Sequence, residues 1–266
     1  MEIISRVSKG TKMDQIYLPK NRNGLPIGGY VVVRPIETEQ KEEKTKSYFY
    51  NIKNLEPVKT RIAEELLKEI EKNIHKYENI IITGSFLDKG FAFQDIDVLI
   101  VSEDQVNVAE LSNKLEQISG IKSHLILISN KTLIAGLSTD PLYQTMLSKC
   151  ISKRRIIYKV LHKIDYKILD FHLFKSEQLI DNFDFLDGNE KYYLTRNMIA
   201  ILEYVKTKKV SKEKIDKEIS KIFNLTDINL IKKNLLDKKE FIKIYKKVYN
   251  KTFNLIMKYA NDTKQK

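Results

Sequence analysis

The sequence predicts an α/β (α+β) protein: a domain with a small sheet, preceded by a short β-rich module and followed by an all-helical region. Three observations carry this. Between residues 57 and 158 the apolar pattern switches between helical spacing and short apolar runs, in the order helix, strand, strand, helix, strand. Before residue 37, strand formers alternate with Pro and Gly, and beyond Phe171 the strand signals fade.

Taken in order, the chain divides into residues 1–37, a β-rich module; 38–56, a linker; 57–165, the α/β domain; and 166–266, a basic helical domain. In the first part, Gln15 to Leu18 and Tyr30 to Val33 read as strands. About 30 residues are too few for an independent core, so such a module must pair with a second copy or lean on the rest of the protein. Thr38 to Lys46 is almost entirely charged or polar, the mark of a solvated linker. From Pro57 onward, Val58, Ile62, Leu66, Leu67, Ile70 and Ile74 recur at three- and four-residue spacing and predict an amphipathic helix. A strand from Ile80, a second from Asp95 to Val101, a helix over Val106 to Ile118 stopped by Gly120, and a strand at His124 to Ile128 follow. A helix begins at Pro141, capped by Asp140 or Thr139, and runs through Cys150, with Ile156–Tyr158 as a candidate fourth strand. The strongest later helices are Glu190 to Val205 and Glu240 to Tyr259.

At 266 residues and 42% hydrophobic content the chain can bury a substantial core. The formal charge of +12 is unevenly spread: residues 190–266 hold 20 Lys and Arg against 9 Asp and Glu. The basic character therefore belongs to the carboxyl-terminal region and suggests an anionic partner there. A single cysteine, Cys150, excludes an internal disulfide framework and a cysteine-rich zinc site. No apolar run approaches the roughly 18 residues of a membrane span, and no signal-peptide pattern opens the chain, so a cytoplasmic protein is expected.

Two acids, Asp95 and Asp97, open an otherwise apolar strand. In a strand, residues i and i+2 face the same way, so the two carboxylates project together while Ile96, Val98 and Ile100 pack on the other face. Neighbouring carboxylates repel, and a divalent cation between them removes that cost. Upstream, a short apolar strand ends in Gly84–Ser85. A glycine there lets the backbone approach a phosphate, and Ser85 offers its hydroxyl and amide to phosphate oxygens.

Gly84–Ser85, about ten intervening residues and Asp95-Ile96-Asp97 on the next strand together resemble the signature of the nucleotidyltransferase fold, the DNA polymerase β superfamily, over roughly residues 57–130. The resemblance implies a nucleotidyltransferase-like domain with a small mixed sheet. It also implies Mg²⁺ (or Mn²⁺) held by Asp95 and Asp97, and transfer of a nucleoside monophosphate from a nucleoside triphosphate to a hydroxyl of RNA, protein or a small molecule. In the family a third carboxylate on the next strand completes the second metal site or activates the attacking hydroxyl. Here that strand reads Lys122-Ser123-His124-Leu125-Ile126-Leu127-Ile128, and His124 stands where the acid is expected. Histidine can replace it as a ligand or general base, its unperturbed pKa being near 6.5. The alternative is a catalytically degenerate domain that binds nucleotide or DNA in a regulatory role. Lys89, on the loop after Ser85, and Arg154 and Arg155, in the basic run Lys149, Lys153, Arg154, Arg155, are candidates to bind the triphosphate, the plainer reading being solvated surface.

Residues 7–36 resemble AbrB-like swapped-hairpin DNA-binding modules through Lys9, Gly10, Ile16, Leu18, Pro19, Lys20, Gly28, Tyr30 and Val31, but with Gly29 in place of the usual acid. That resemblance implies DNA binding by the module; a structural or dimerising appendage is the competing reading, and a homodimer is a reasonable expectation from either. The basic helices, with Lys206, Lys208, Lys209, Lys232, Lys233, Lys238, Lys239, Lys246 and Lys247, offer a second candidate nucleic-acid face. Their aromatics fall mainly on the apolar stripe, which favours packing over base stacking.

Overall fold

A computed structural model of the chain describes residues 7–11, 14–18, 47–158 and 160–264, with side chains described as far as residue 260. The chain divides into two compact units, residues 1–44 and 45–266. In the first, β1 (Val7–Ser8) pairs antiparallel with β2 (Gln15–Ile16), with Val7 opposite Ile16. The expected strand at 30–33 and the charged linker at 38–46 lie outside the described residues, as do the resemblance residues Pro19, Lys20, Gly28, Tyr30 and Val31.

The second unit is built on a five-stranded mixed sheet in the order β3 (Tyr48–Tyr50), β7 (Cys150–Ser152), β4 (Asn79–Thr83), β5 (Asp95–Val101), β6 (Lys122–Ile128). Every pairing is antiparallel except β5 with β6, which is parallel. β4 is buried throughout and reads as a continuous apolar run for that reason. Even-numbered Ile80, Ile82, Ile96, Val98 and Ile100 pack with Leu66, Leu67 and Ile70 of α1 (Pro57–Asn73) and Leu111 and Leu115 of α2 (Val108–Ser119). Odd-numbered Ile81, Leu99 and Val101 pack with Leu133 and Leu137 of α3 (Asn130–Thr139) and Leu147 of α4 (Pro141–Leu147). Each face of the sheet is thus covered, and the acids at the start of β5 sit on the odd-numbered face beyond the end of its core.

Tyr48–Tyr50, inside the segment expected to be a linker, is the edge strand of the sheet, and the Tyr50 hydroxyl accepts from the Ile156 amide at 2.7 Å. The helix expected to run through Cys150 ends at Leu147, and Cys150 is instead the first residue of β7. It is free and buried, and burial pushes its thiol pKa up to about 12. Ile156–Tyr158, the candidate strand, is irregular chain. The strand formers there lose to Cys150-Ile151-Ser152 because those three are fully enclosed between β3 and β4.

Residues 166–264 are helical: α5 (Tyr166–Asp181), α6 (Gly188–Thr207), α7 (Lys212–Ile222), the short α8 (Asn229–Lys232) and α9 (Lys238–Lys264). α6 is the axis of this layer, starting at an Asp187–Glu190 capping box and contributing Met198, Ile199, Ile201, Leu202 and Val205 to the core. Its amino terminus abuts α8: a Cβ on Gly188 would fall 2.0 Å from the Lys232 carbonyl oxygen, so only glycine permits the approach. Tyr204 on α6 ties the helices to the sheet domain, its hydroxyl donating to the Ser138 and Lys163 carbonyls at 2.9 and 2.8 Å. No helix among the described residues is long and apolar enough to cross a membrane.

Candidate functional site at the Gly84–Asp97 end of the sheet

The end of β4 and the starts of β5 and β6 meet at one edge of the sheet. Thr83 lies opposite Asp97, and Asp97 is in direct parallel register with His124. Parallel neighbours project on the same face, so the imidazole stands beside the carboxylate, Nδ1 lying 3.2 Å from Asp97 Oδ1. Gly84, with φ of 86°, turns the chain into a single 3₁₀ turn, Ser85–Leu87, and passes directly beneath the other oxygen of Asp97. Asp95 and Asp97 are half-buried on the same face. Burial lifts Asp97 above the ordinary carboxylate range and the Asp95 charge adds to this; the His124 bond and the charge of Arg196 pull the other way without cancelling it.

The loop after Ser85 is fixed from below by Lys59 of α1. This lysine is fully buried, donates to the Asp88 carbonyl at 2.7 Å and to the Gly90 carbonyl, and pairs with Glu56 at 3.1 Å. Phe86, Phe91 and Phe93 surround it with ring centroids 5.2–5.8 Å from its ammonium. Glu56 closes the clamp by accepting from the Gly90 amide at 2.6 Å, a bond that, with the Lys59 pairing, lowers its pKa to about 2. Sequence periodicity placed Lys59 on a helix but gave no reason to expect it inside.

On the outer side of the same loop, Asp88 meets three lysines that sequence reasoning did not bring together. Lys149 and Lys212 reach its Oδ1 at 2.8 and 2.9 Å, and Lys232 its Oδ2 at 3.5 Å. Lys212 also approaches Asp216 at 3.4 Å, whose other oxygen accepts from the Tyr192 hydroxyl at 2.7 Å. Beside them is a cavity of about 400 Å³ whose lining includes Lys53, Lys89, Lys149 and Lys212 together with Glu213 and Asp216. The exposed Lys89 therefore stands on the rim of this cavity.

Arg154 and Arg155 are not part of this arrangement. The Arg154 amide bonds Asn79 Oδ1 at the far end of β4, and its guanidinium stacks 4.5 Å from the centroid of Tyr77. Asn79 is four strand positions from Thr83, about 13 Å at the usual rise. The basic run splits because β7 crosses the sheet antiparallel to β4: Lys149 is left beside Thr83 and Lys153 beside Ile80. Arg196 of α6 contributes a small favourable charge to the ionised form of Asp97; its Cζ lies 4.8 Å from the centroid of the exposed Tyr193 and its buried Nε has no hydrogen-bond partner.

No family model, curated protein or solved structure matches the chain. The chemistry of the site therefore rests on its residues. Two half-buried carboxylates in the i, i+2 relation form a hard, anionic oxygen donor set of the kind that takes Mg²⁺ or Mn²⁺, an ion usually held by one or two carboxylates together with substrate phosphates. Among the described residues no group of three or more His, Cys, Asp or Glu is arranged to hold a metal; the acidic groups at this end of the sheet are Asp95 and Asp97, with His124 hydrogen-bonded to Asp97.

Proposed function

We propose that the chain is a metal-dependent nucleotidyltransferase, moving a nucleoside monophosphate from a nucleoside triphosphate to a hydroxyl acceptor. The observation that carries this reading is the direct apposition of Gly84 and Asp97: the strand-end glycine and the acid of the next strand, thirteen positions apart in sequence, meet at one end of the sheet. Mg²⁺ or Mn²⁺ bound by Asp95 and Asp97 would neutralise charge on the reacting phosphate. Ser85, at the start of the 3₁₀ turn, and Lys89, on the cavity rim, would contact phosphate oxygens in this reading.

His124 is the proton acceptor in this reading. With Nδ1–H donated to Asp97, the lone pair lies on Nε2, which takes the proton of the acceptor hydroxyl as its oxygen bonds the α-phosphorus and pyrophosphate departs. The side chain is 60% exposed, so an acceptor can reach it. The acceptor class stays a hydroxyl, with RNA and protein side chains as the macromolecular candidates.

The test is transfer of α-labelled nucleotide in Mn²⁺ or Mg²⁺ by wild type, Asp97→Ala and His124→Ala, with protein and RNA acceptors. Loss of transfer in both variants supports the reading. Nucleotide binding without transfer for any triphosphate or acceptor would leave the second reading, a degenerate nucleotide-binding domain, which the missing third carboxylate favours.

A further inference from the structure

Asp88 is on the same loop as Gly84 and Ser85 but has no part in the reaction described above. Its carboxylate is met by three ammonium groups from separate parts of the fold: Lys149 after α4, Lys212 opening α7 and Lys232 closing α8. The three side chains are only 19–22% exposed, so they are gathered out of solvent around one anion. Counting Asp216, three positive charges face two negative ones, and Asp216 is shared with the Tyr192 hydroxyl. A carboxylate offers two oxygens and one charge to this cluster, whereas a phosphate group offers more of both and suits three converging ammonium groups better. The main chain at Asp88 and Gly90 is pinned by Lys59, so the carboxylate can leave by rotation of its own side chain. The adjoining cavity of about 400 Å³, lined by Lys53, Lys89, Lys149 and Lys212 against the two acids Glu213 and Asp216, gives room for further phosphate groups.

We propose that Lys149, Lys212 and Lys232 form a binding site for a phosphate chain, and that Asp88 is its resident anion, an internal competitor displaced when the chain enters. Identifying that chain as the triphosphate of the nucleotide rests on the nucleotidyltransferase reading; the site itself does not. Asp88 then holds the loop and the helical layer together in the free protein, and substrate breaks that contact as it binds.

The experiment is calorimetric titration of the full chain with inorganic tripolyphosphate, without divalent cation. Asp88→Asn should bind it about tenfold more tightly than wild type, and Lys212→Ala and Lys232→Ala about tenfold more weakly. Unchanged or weaker binding by Asp88→Asn, or wild-type binding by Lys212→Ala, overturns the proposal and leaves the cluster a structural tie. Should Asp88→Asn not fold, wild-type crystals soaked in tripolyphosphate decide: phosphate on Lys149 and Lys212 with the Asp88 side chain swung away supports it, and Asp88 still seated on the lysines overturns it. Tripolyphosphate binding with this mutational pattern but no nucleotidyl transfer would leave the site standing and sink the catalytic reading; transfer without the pattern would do the reverse.

Discussion

A Cβ on Gly84 would lie 2.1 Å from Asp97 Oδ2, so Asp97 fills the space that any side chain at the strand-end position would need. Gly84→Ala has no room to relax, because φ is 86° as well. The expected result is a stability loss of about 1–3 kcal/mol in urea melts from backbone strain, with loss of metal-dependent transfer as Asp97 is pushed aside. Wild-type activity in this variant would show that the contact positions nothing.

Asp97→Asn should stabilise the metal-free protein at pH 7. Burial and Asp95 raise the Asp97 pKa, so the folded state holds the proton more tightly than the unfolded chain does. Wild-type stability therefore falls as pH rises from the ordinary aspartate value of 3.8 through the raised folded value, and above that window the charged side chain carries a constant penalty that asparagine lacks. Thermal melts of both proteins should converge below about pH 3.8 and separate at neutral pH, with the variant higher.

Asp88→Asn should behave in the opposite sense. Burial alone would raise the Asp88 pKa, but Lys212 and Lys149 more than reverse this and hold it at about 2, below the ordinary aspartate value of 3.8. Its contribution is present above 3.8 and lost as pH falls through about 2, and the shift corresponds to stability on the order of 2 kcal/mol. The variant should melt lower than wild type at pH 7, and the gap should shrink across that acid window.

The acid pair and the glycine were legible in the sequence because both are local signals: a two-residue period puts Asp95 and Asp97 on one face, and apolar runs mark both strands. His124 was legible as a strand residue, and its register with Asp97 followed once β5 and β6 paired. Lys59, Lys212, Lys232 and Arg196 were not legible as site residues. They sit on helices whose periodicity tells inside from outside only on average, and what each meets depends on packing across as many as 144 residues of chain. Arg154 was misplaced for the related reason that a basic run looks like one surface in sequence, whereas β7 carries its two ends to opposite ends of β4.

Lys59→Met should be among the most destabilising single changes near the site. It leaves the Asp88 and Gly90 carbonyls without their lysine donor and removes the partner of Glu56, so the urea midpoint should fall well below that of wild type. Pairing it with Glu56→Gln in a double-mutant cycle should recover part of that loss, since the two changes share one interaction. Additive effects would show that the clamp does not act as a unit.

Arg196→Ala and Arg154→Ala form a matched pair. Arg196 acts on Asp97 and should lower the transfer rate by about tenfold or more when removed, with lysine a poor substitute for its stacked guanidinium. Arg154 stacks on Tyr77 at the other end of β4, so its removal should leave the rate at the wild-type level. Equal effects of the two variants would contradict this placement.

The central claim, that Asp95 and Asp97 hold a divalent cation against a nucleotide's phosphates, is tested most directly by anomalous scattering from crystals soaked with Mn²⁺ and a non-hydrolysable nucleoside triphosphate. An anomalous peak at Asp95 and Asp97 is expected, with phosphate oxygens beside Gly84 and Ser85. Nucleotide bound elsewhere, or Mn²⁺ absent from the acid pair at saturating concentration, would contradict it.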